Sequence, residues 1–219
     1  MAIDLESLPA ALTTSLLSDA LDAHGHMGQA MRPFVRPLAD DVRIKGRART
    51  GLYAPVHHVP AGDNPYAIEM ALIDDLRPGE VAILACDGPT DRIGPWGELL
   101  STAARARGAV GCITDGLVRD VRQIREMRFP VFAGGIGPVD SKGRGQMMAM
   151  DVPVRCAGVL VHPGDIVVAD VDGVVAVPQF VEDAVFATAL AKLTAEDRTR
   201  EELAAGAKLA DVFAKYGVL

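Results

Sequence analysis

The chain has 219 residues, 49% hydrophobic, 23% charged and 5% aromatic, which excludes disordered, collagen-like and low-complexity classes and suffices for a sizeable core. Its 29 acidic against 22 basic residues give a net charge of -7, and no run of Lys and Arg forms the stripe a phosphate backbone requires, so nucleic-acid binding is disfavoured. Apolar runs break off short of the roughly 18 residues of a membrane span, the start Met1-Ala-Ile-Asp-Leu-Glu lacks a leader pattern, and Cys86, Cys112 and Cys156 sit in apolar settings as reduced thiols, all consistent with a cytoplasmic protein.

Leu12, Leu16, Leu17, Ala20 and Leu21 recur at helical spacing between Leu8 and His24, and Gly25 supplies a stop. From Val35 to Val59 the pattern becomes short β-type runs, Val42-Arg-Ile-Lys-Gly-Arg-Ala and Thr50-Gly-Leu-Tyr-Ala. A Pro- and Gly-bearing loop at 60–65 leads to a helix from Tyr66 to Leu76, and Arg77-Pro-Gly-Glu80 turns the chain into the apolar run Val81–Cys86. The centre repeats that alternation: a Gly-rich loop from Asp87 to Gly97, a helix from Glu98 to Arg107, a strand from Ala109 to Thr114 and a turn at Asp115-Gly116. A short helix over Val121–Met127 and a strand from Pro130 to Ala133 follow. Gly134-Gly-Ile-Gly137 lacks dinucleotide-fingerprint spacing and reads as a turn. Strands are then expected at Val152-Pro-Val-Arg, Gly158-Val-Leu-Val and Ile166–Val171, before a charged helical stretch from Phe180 to Lys215. These elements describe a single α/β domain with β-rich flanks and terminal helices.

Chemistry-bearing residues are densest between Gly94 and Asp120. The first amides of a helix opening at Glu98 have no intrahelical partner and face the Gly-rich loop, where a carboxylate or enolate can be received. An ordinary turn with an acidic residue at the helix dipole accounts for the same pattern. Arg119-Asp120 lies just beyond a strand end, where loops converge in α/β folds. The arginine fork suits a carboxylate and the aspartate a hard divalent cation, although a surface pair of neighbours has the same appearance. Asp87 and Asp91 are candidates for a water network, and Lys142 for the edge of the site. His57-His58 has no metal-ligand spacing and fits a strand end.

Glu98 followed at this spacing by Arg119-Asp120 resembles the signature of the class II 4-hydroxy-4-methyl-2-oxoglutarate aldolases. That RraA-like family also contains oxaloacetate decarboxylases and the regulator of ribonuclease activity A. Gly97-Glu98-Leu99-Leu100, Asp115-Gly116, Pro138-Val-Asp140-Ser-Lys-Gly-Arg144, His162-Pro-Gly-Asp165 and Asp172-Gly173-Val-Val-Ala-Val-Pro178 are similar to family segments in the same order, across one domain spanning residues 1–219. The resemblance implies a compact layered β/β/α fold of the swivelling phosphohistidine-domain type with terminal helices. It further implies substrate contacts from Gly97, Glu98, Leu99 and Leu100, a pyruvate-type carboxylate on Arg119, and Mg or Mn on Asp120. Many family aldolases carry Asp where this chain has Glu98. The resemblance also implies a homotrimer or dimer of trimers in which an acidic residue of a C-terminal helix reaches a neighbouring site. Glu196 is the candidate for that residue, with Glu201 and Glu202 as rivals.

The expected activity is metal-dependent cleavage of the C3–C4 bond of a 2-keto acid through a pyruvate enolate, either by oxaloacetate decarboxylation or by retro-aldol cleavage of 4-hydroxy-4-methyl-2-oxoglutarate. The latter also needs a base for the C4 hydroxyl, a role open to metal-bound water poised by Glu98, which can later help protonate C3 of the enolate. The alternative is a non-catalytic regulator that masks a ribonuclease or another protein, a task that needs none of these three side chains.

Overall fold

The computed structural model describes residues 3–218. Helix α1 (Thr14–Ala23) starts later than the apolar spacing suggests, because Thr13 caps it by accepting from the Leu16 amide. Strands β1 (Arg36–Pro37) and β2 (Ile44–Pro55) follow, then α2 (Ala67–Asp74), β3 (Glu80–Ala85), α3 (Glu98–Ala106), β4 (Gly111–Val118), α4 (Val121–Met127) and β5 (Val131–Ile136). The second half contains β6 (Gly145–Met150), β7 (Val154–Cys156), β8 (Val159–Val161), β9 (Ile166–Asp170), β10 (Gly173–Val177), α5 (Glu182–Ala204) and α6 (Leu209–Tyr216).

Among the described residues, one eight-stranded sheet has the order β1-β5-β4-β3-β2-β9-β10, with β6 added on β2. Its centre, β2 to β5, is parallel, and its flanks are antiparallel. Central parallel strands are covered on both faces, which explains why Val81–Cys86 reads as continuously apolar. Ala82 and Leu84 join Leu72, Ala104 and Ile124 of the helices and Leu76 just after α2, whereas Val81 and Ile83 meet Val154, Val159 and Val161 of the β7–β8 ribbon. The result is the expected β/β/α layering of an α/β fold. Helices α1 and α5 close the sheet's end by packing on β9 and β10. No described helix is long and apolar enough to cross a membrane.

Several boundaries differ from the sequence reading for local reasons. The two runs in 42–54 form the single strand β2, which changes partner along its length and carries a register shift at Leu52/Tyr53. No turn forms at Asp115-Gly116: β4 continues to Val118 through a register shift between Thr114 and Leu117. Gly134 and Gly135 lie inside β5; a Cβ at Gly134 would stand 2.4 Å from the Asp115 carbonyl oxygen, so the glycine serves close strand approach. Strand β6, Gly-Gln-Met-Met-Ala-Met, lacks the alternation that announces a strand. The C-terminal helical stretch is broken at Gly206 into α5 and α6. All three cysteines are buried free thiols.

Asp115, 1% exposed, organises the centre. Its carboxylate accepts from the amides of Cys86 at 2.6 Å, Gly88 at 3.0 Å and Ala157 at 3.1 Å, joining the end of β3 to the β7–β8 turn. Removing it strands two buried donors and one partly buried, the buried ones each costing about 1–3 kcal/mol. Asp115→Ala is therefore expected to lower unfolding free energy by about 3 kcal/mol or more in denaturant titrations; a loss below about 1 kcal/mol would contradict this role.

Candidate active site

Past the β4 bulge, β3 no longer borders β4, and residues 93–97 take its place. Leu117 donates to the Ile93 carbonyl at 2.9 Å, Trp96 bridges Val118 in parallel, and Arg119 donates to the Trp96 carbonyl at 3.1 Å. Trp96, 1% exposed, anchors this segment by donating its indole N–H to Ser101 Oγ at 2.8 Å and stacking on Phe129. Gly97, the N-cap of α3, is thereby set against the Arg119-Asp120 corner.

That meeting leaves little room. A Cβ at Gly97 would fall 2.8 Å from Asp120 Oδ2 and 3.3 Å from Arg119 Cγ, so only glycine leaves the aspartate in place. Asp120 caps α4 in the left-handed region with φ 58°, a conformation tolerated best by Gly, Asn and Asp. Its Oδ2 accepts from the Glu98 amide at 3.3 Å. Among the described residues, Arg119 pairs only loosely, with Nε 3.7 Å from Asp120 and Nη1 3.9 Å from Asp140, so its N–H fork stays available.

These groups line a cavity of about 380 Å³ together with Leu99, Leu100, the α2 side chains Glu69 and Met70, and Tyr66 at the start of that helix. Gly97, Glu98, Leu99, Leu100, Arg119 and Asp120 are thus brought together, with one refinement. Glu98 meets Asp120 through its backbone, while its carboxylate lies along α3 and accepts from Thr102 Oγ1 at 2.8 Å. Glu196 lies elsewhere on this chain, by Asp19 and Thr199, with Lys192 at 3.9 Å and Arg200 at 3.7 Å. Glu202 is engaged by Lys215 and Tyr216 of α6. Asp91 lines a separate cavity with Pro89 and Ile136, and Lys142 is an exposed neighbour of Asp140.

Asp120 is a hard oxygen donor, 40% exposed at its side chain, and the described residues hold no cluster of three or more His, Cys, Asp or Glu suited to a metal. A single carboxylate with room for water and substrate oxygens fits Mg or Mn, which use one or two protein carboxylates.

Glu69, Tyr66 and Asp140 were not singled out from sequence. Tyr66 donates to Asp140 Oδ2 at 2.5 Å; burial and this bond push its phenol up to about 12. Burial alone would raise the Asp140 carboxyl, but the Tyr66 bond, Arg119 and the amides of Ser141 and Lys142 hold it below the ordinary value. Glu69, 7% exposed, accepts from Tyr53 of β2. Burial pushes it up to about 7, with Asp140 adding to the rise and Tyr53 and Arg119 opposing it. A signal was present: Glu69 shares its helical face with Leu72 and Ile73, an acid among core residues.

The RraA-like family (Aldolase/RraA) matches residues 14–176. A protein of Halalkalibacterium halodurans named as a candidate 4-hydroxy-4-methyl-2-oxoglutarate aldolase is 32% identical over 87% of this chain and 83% of its own. The 4-hydroxy-4-methyl-2-oxoglutarate aldolase of Thermus thermophilus is 28% identical over 69% of this chain and 86% of its own. The crystal structure of Streptomyces coelicolor RraAS2, described as an unusual member of the RNase ES inhibitor RraA family, superposes with TM-score 0.78, 26% identity and coverage of 90% and 94% of the two chains.

The raised Glu69 value has a thermodynamic sign. Below pH 4.5, the ordinary glutamate value, the group is protonated whether the chain is folded or not. Between 4.5 and about 7 only the unfolded chain releases the proton, so the fold loses stability as pH rises, by about 3 kcal/mol in all. Glu69→Gln keeps an acceptor for Tyr53 and removes the titration. Its unfolding free energy minus that of wild type is expected to grow by about 3 kcal/mol between about pH 4 and about pH 8. A pH-independent difference would contradict a buried neutral acid.

Proposed function

Because the chain belongs to the RraA-like family, we propose that it is a divalent-metal-dependent lyase that cleaves the C3–C4 bond of a 2-keto acid and releases pyruvate. The observation that carries this reading is the loosely paired Arg119 fork beside the Asp120 carboxylate and the N-terminus of α3, whose Gly97 cap has no side-chain acceptor, all at one cavity.

Arg119 and the first-turn amides of Leu99 and Leu100 suit the carboxylate of the keto acid, one through charge and bidentate geometry, the others through donors that a helix start leaves unpaired. Asp120 is the residue that would hold Mg or Mn. A divalent ion there supplies Lewis-acid stabilisation of charge collecting on the ketone oxygen, worth several kcal/mol. Fixing the carboxylate aligns the breaking bond, and Trp96, Leu99 and Leu100 give the cavity an apolar wall that strengthens these interactions.

Oxaloacetate yields pyruvate enolate by losing carbon dioxide without a base. Retro-aldol cleavage of 4-hydroxy-4-methyl-2-oxoglutarate also needs an acceptor for the C4 hydroxyl proton. Glu98 serves that role by holding a water only if its carboxylate leaves Thr102. The reading extends to a homotrimer or dimer of trimers in which Glu196 is offered to a neighbouring subunit. The regulator alternative, masking of a ribonuclease or other protein, needs no arginine fork over a carboxylate.

Pyruvate release from both compounds, measured with Mg and with chelator, tests the proposal. Metal-dependent release is expected in wild type, with a fall of about 100-fold or more in Asp120→Ala and in Arg119→Ala at unchanged thermal stability. Wild-type rates in either variant, or no release by wild type above the metal-only background, would overturn it.

A further inference from the structure

We propose that Glu69 is the acid that delivers the proton to C3 when the enolate becomes pyruvate, an assignment that rests on the lyase reading above. The cavity has two chemically different sides. Arg119, Asp120 and the α3 amides form the side suited to the carboxylate and ketone oxygens. The α2 wall of the same cavity is made by Glu69 and Met70, with Tyr66 at the helix start.

On that wall Glu69 is the group able to give a proton near neutral pH. Tyr53 of β2 donates to it, and Asp140 and Arg119 bear on it from the loops after β5 and β4. Cys86, at the end of β3, and Tyr66, at the start of its own helix, complete the titratable surroundings. Cys86 and Tyr53 are held protonated by burial, and Tyr66, at about 12, is committed to Asp140. Glu69, near 7, holds a transferable proton at the working pH of general acid catalysis.

The step balances. The Glu69 O–H bond breaks as the C3–H bond forms, the enolate electron pair makes that bond, and the ketone is restored. Glu69 is left as a carboxylate that keeps the Tyr53 hydrogen bond and faces Arg119; solvent water returns its proton once pyruvate leaves. Run backwards, the same carboxylate removes a methyl proton from pyruvate.

The test is exchange of the pyruvate methyl protons in deuterated water, followed by proton NMR with Mg present, beside oxaloacetate consumption by the same samples. In Glu69→Gln, exchange is expected to fall at least about 100-fold, and at least about tenfold more than oxaloacetate consumption. Wild-type exchange in that variant, or equal loss of both reactions in a variant whose fold is intact by thermal melting, overturns the assignment and leaves the lyase standing. Failure of wild type to release pyruvate from both oxaloacetate and 4-hydroxy-4-methyl-2-oxoglutarate overturns the lyase reading and the assignment with it.

Discussion

The exchange of partners along β4 is the constraint from which the site follows. Up to Thr114 this strand is bordered by β3; beyond the bulge it is bordered by residues 93–97. The switch depends on Asp115, whose carboxylate gathers the Cys86 and Gly88 amides and so turns the chain away at the end of β3. The freed edge of β4 then accepts Ile93 and Trp96 through backbone hydrogen bonds. Gly97 is carried to within van der Waals reach of Asp120, and α3 begins where Arg119 ends the strand. A helix start, an arginine and a carboxylate meet because one strand edge has two successive occupants, at the kind of crevice where α/β sheets collect ligands.

Charge is arranged on this scaffold with opposite tendencies at its two walls. On the β4 side a guanidinium stands beside a half-exposed aspartate, both loosely paired. On the α2 side burial pushes the Glu69 acid up to about 7, while its neighbour Asp140 is held below the ordinary value by Tyr66, Arg119 and backbone amides. Pairs of carboxyl groups whose surroundings drive them apart in this way are the usual mark of divided acid and base roles. The desolvation of Glu69 works against folding at neutral pH, and such a conflict between stability and local environment is characteristic of functional sites.

Much of this was legible in the residues. The alternation of apolar strands and amphipathic helices between Tyr66 and Ala133 fixes the parallel centre, and the structure brings the backbone of Glu98 together with Arg119-Asp120 at one corner. What escaped was set by contacts distant in sequence. Gly134-Gly-Ile resembles a turn because the glycines serve an approach to the β4 backbone, which no local pattern reveals. Asp115-Gly116 has turn chemistry but is used as a bulge. Strand β6 is paired through its backbone to β2 while its side chains lack alternation. At the site, Glu98 carried the expected position but contributes its amide, because Thr102 one turn later captures the carboxylate. Glu69 was hidden by its helix: an acid in an apolar stretch shows its partner, Tyr53, only when β2 is packed beneath α2.

In the proposed function, Arg119 and Asp120 together seat a 2-keto acid and a divalent ion in the cavity between α2 and α3. A crystal structure with Mn and oxalate, which mimics the planar chelating oxygens of a pyruvate enolate, tests it most directly. An anomalous Mn peak is expected within about 2.2 Å of an Asp120 carboxylate oxygen, with the oxalate also bonded to Arg119. Mn and oxalate bound elsewhere, with Asp120 still turned to the Glu98 amide, would contradict it.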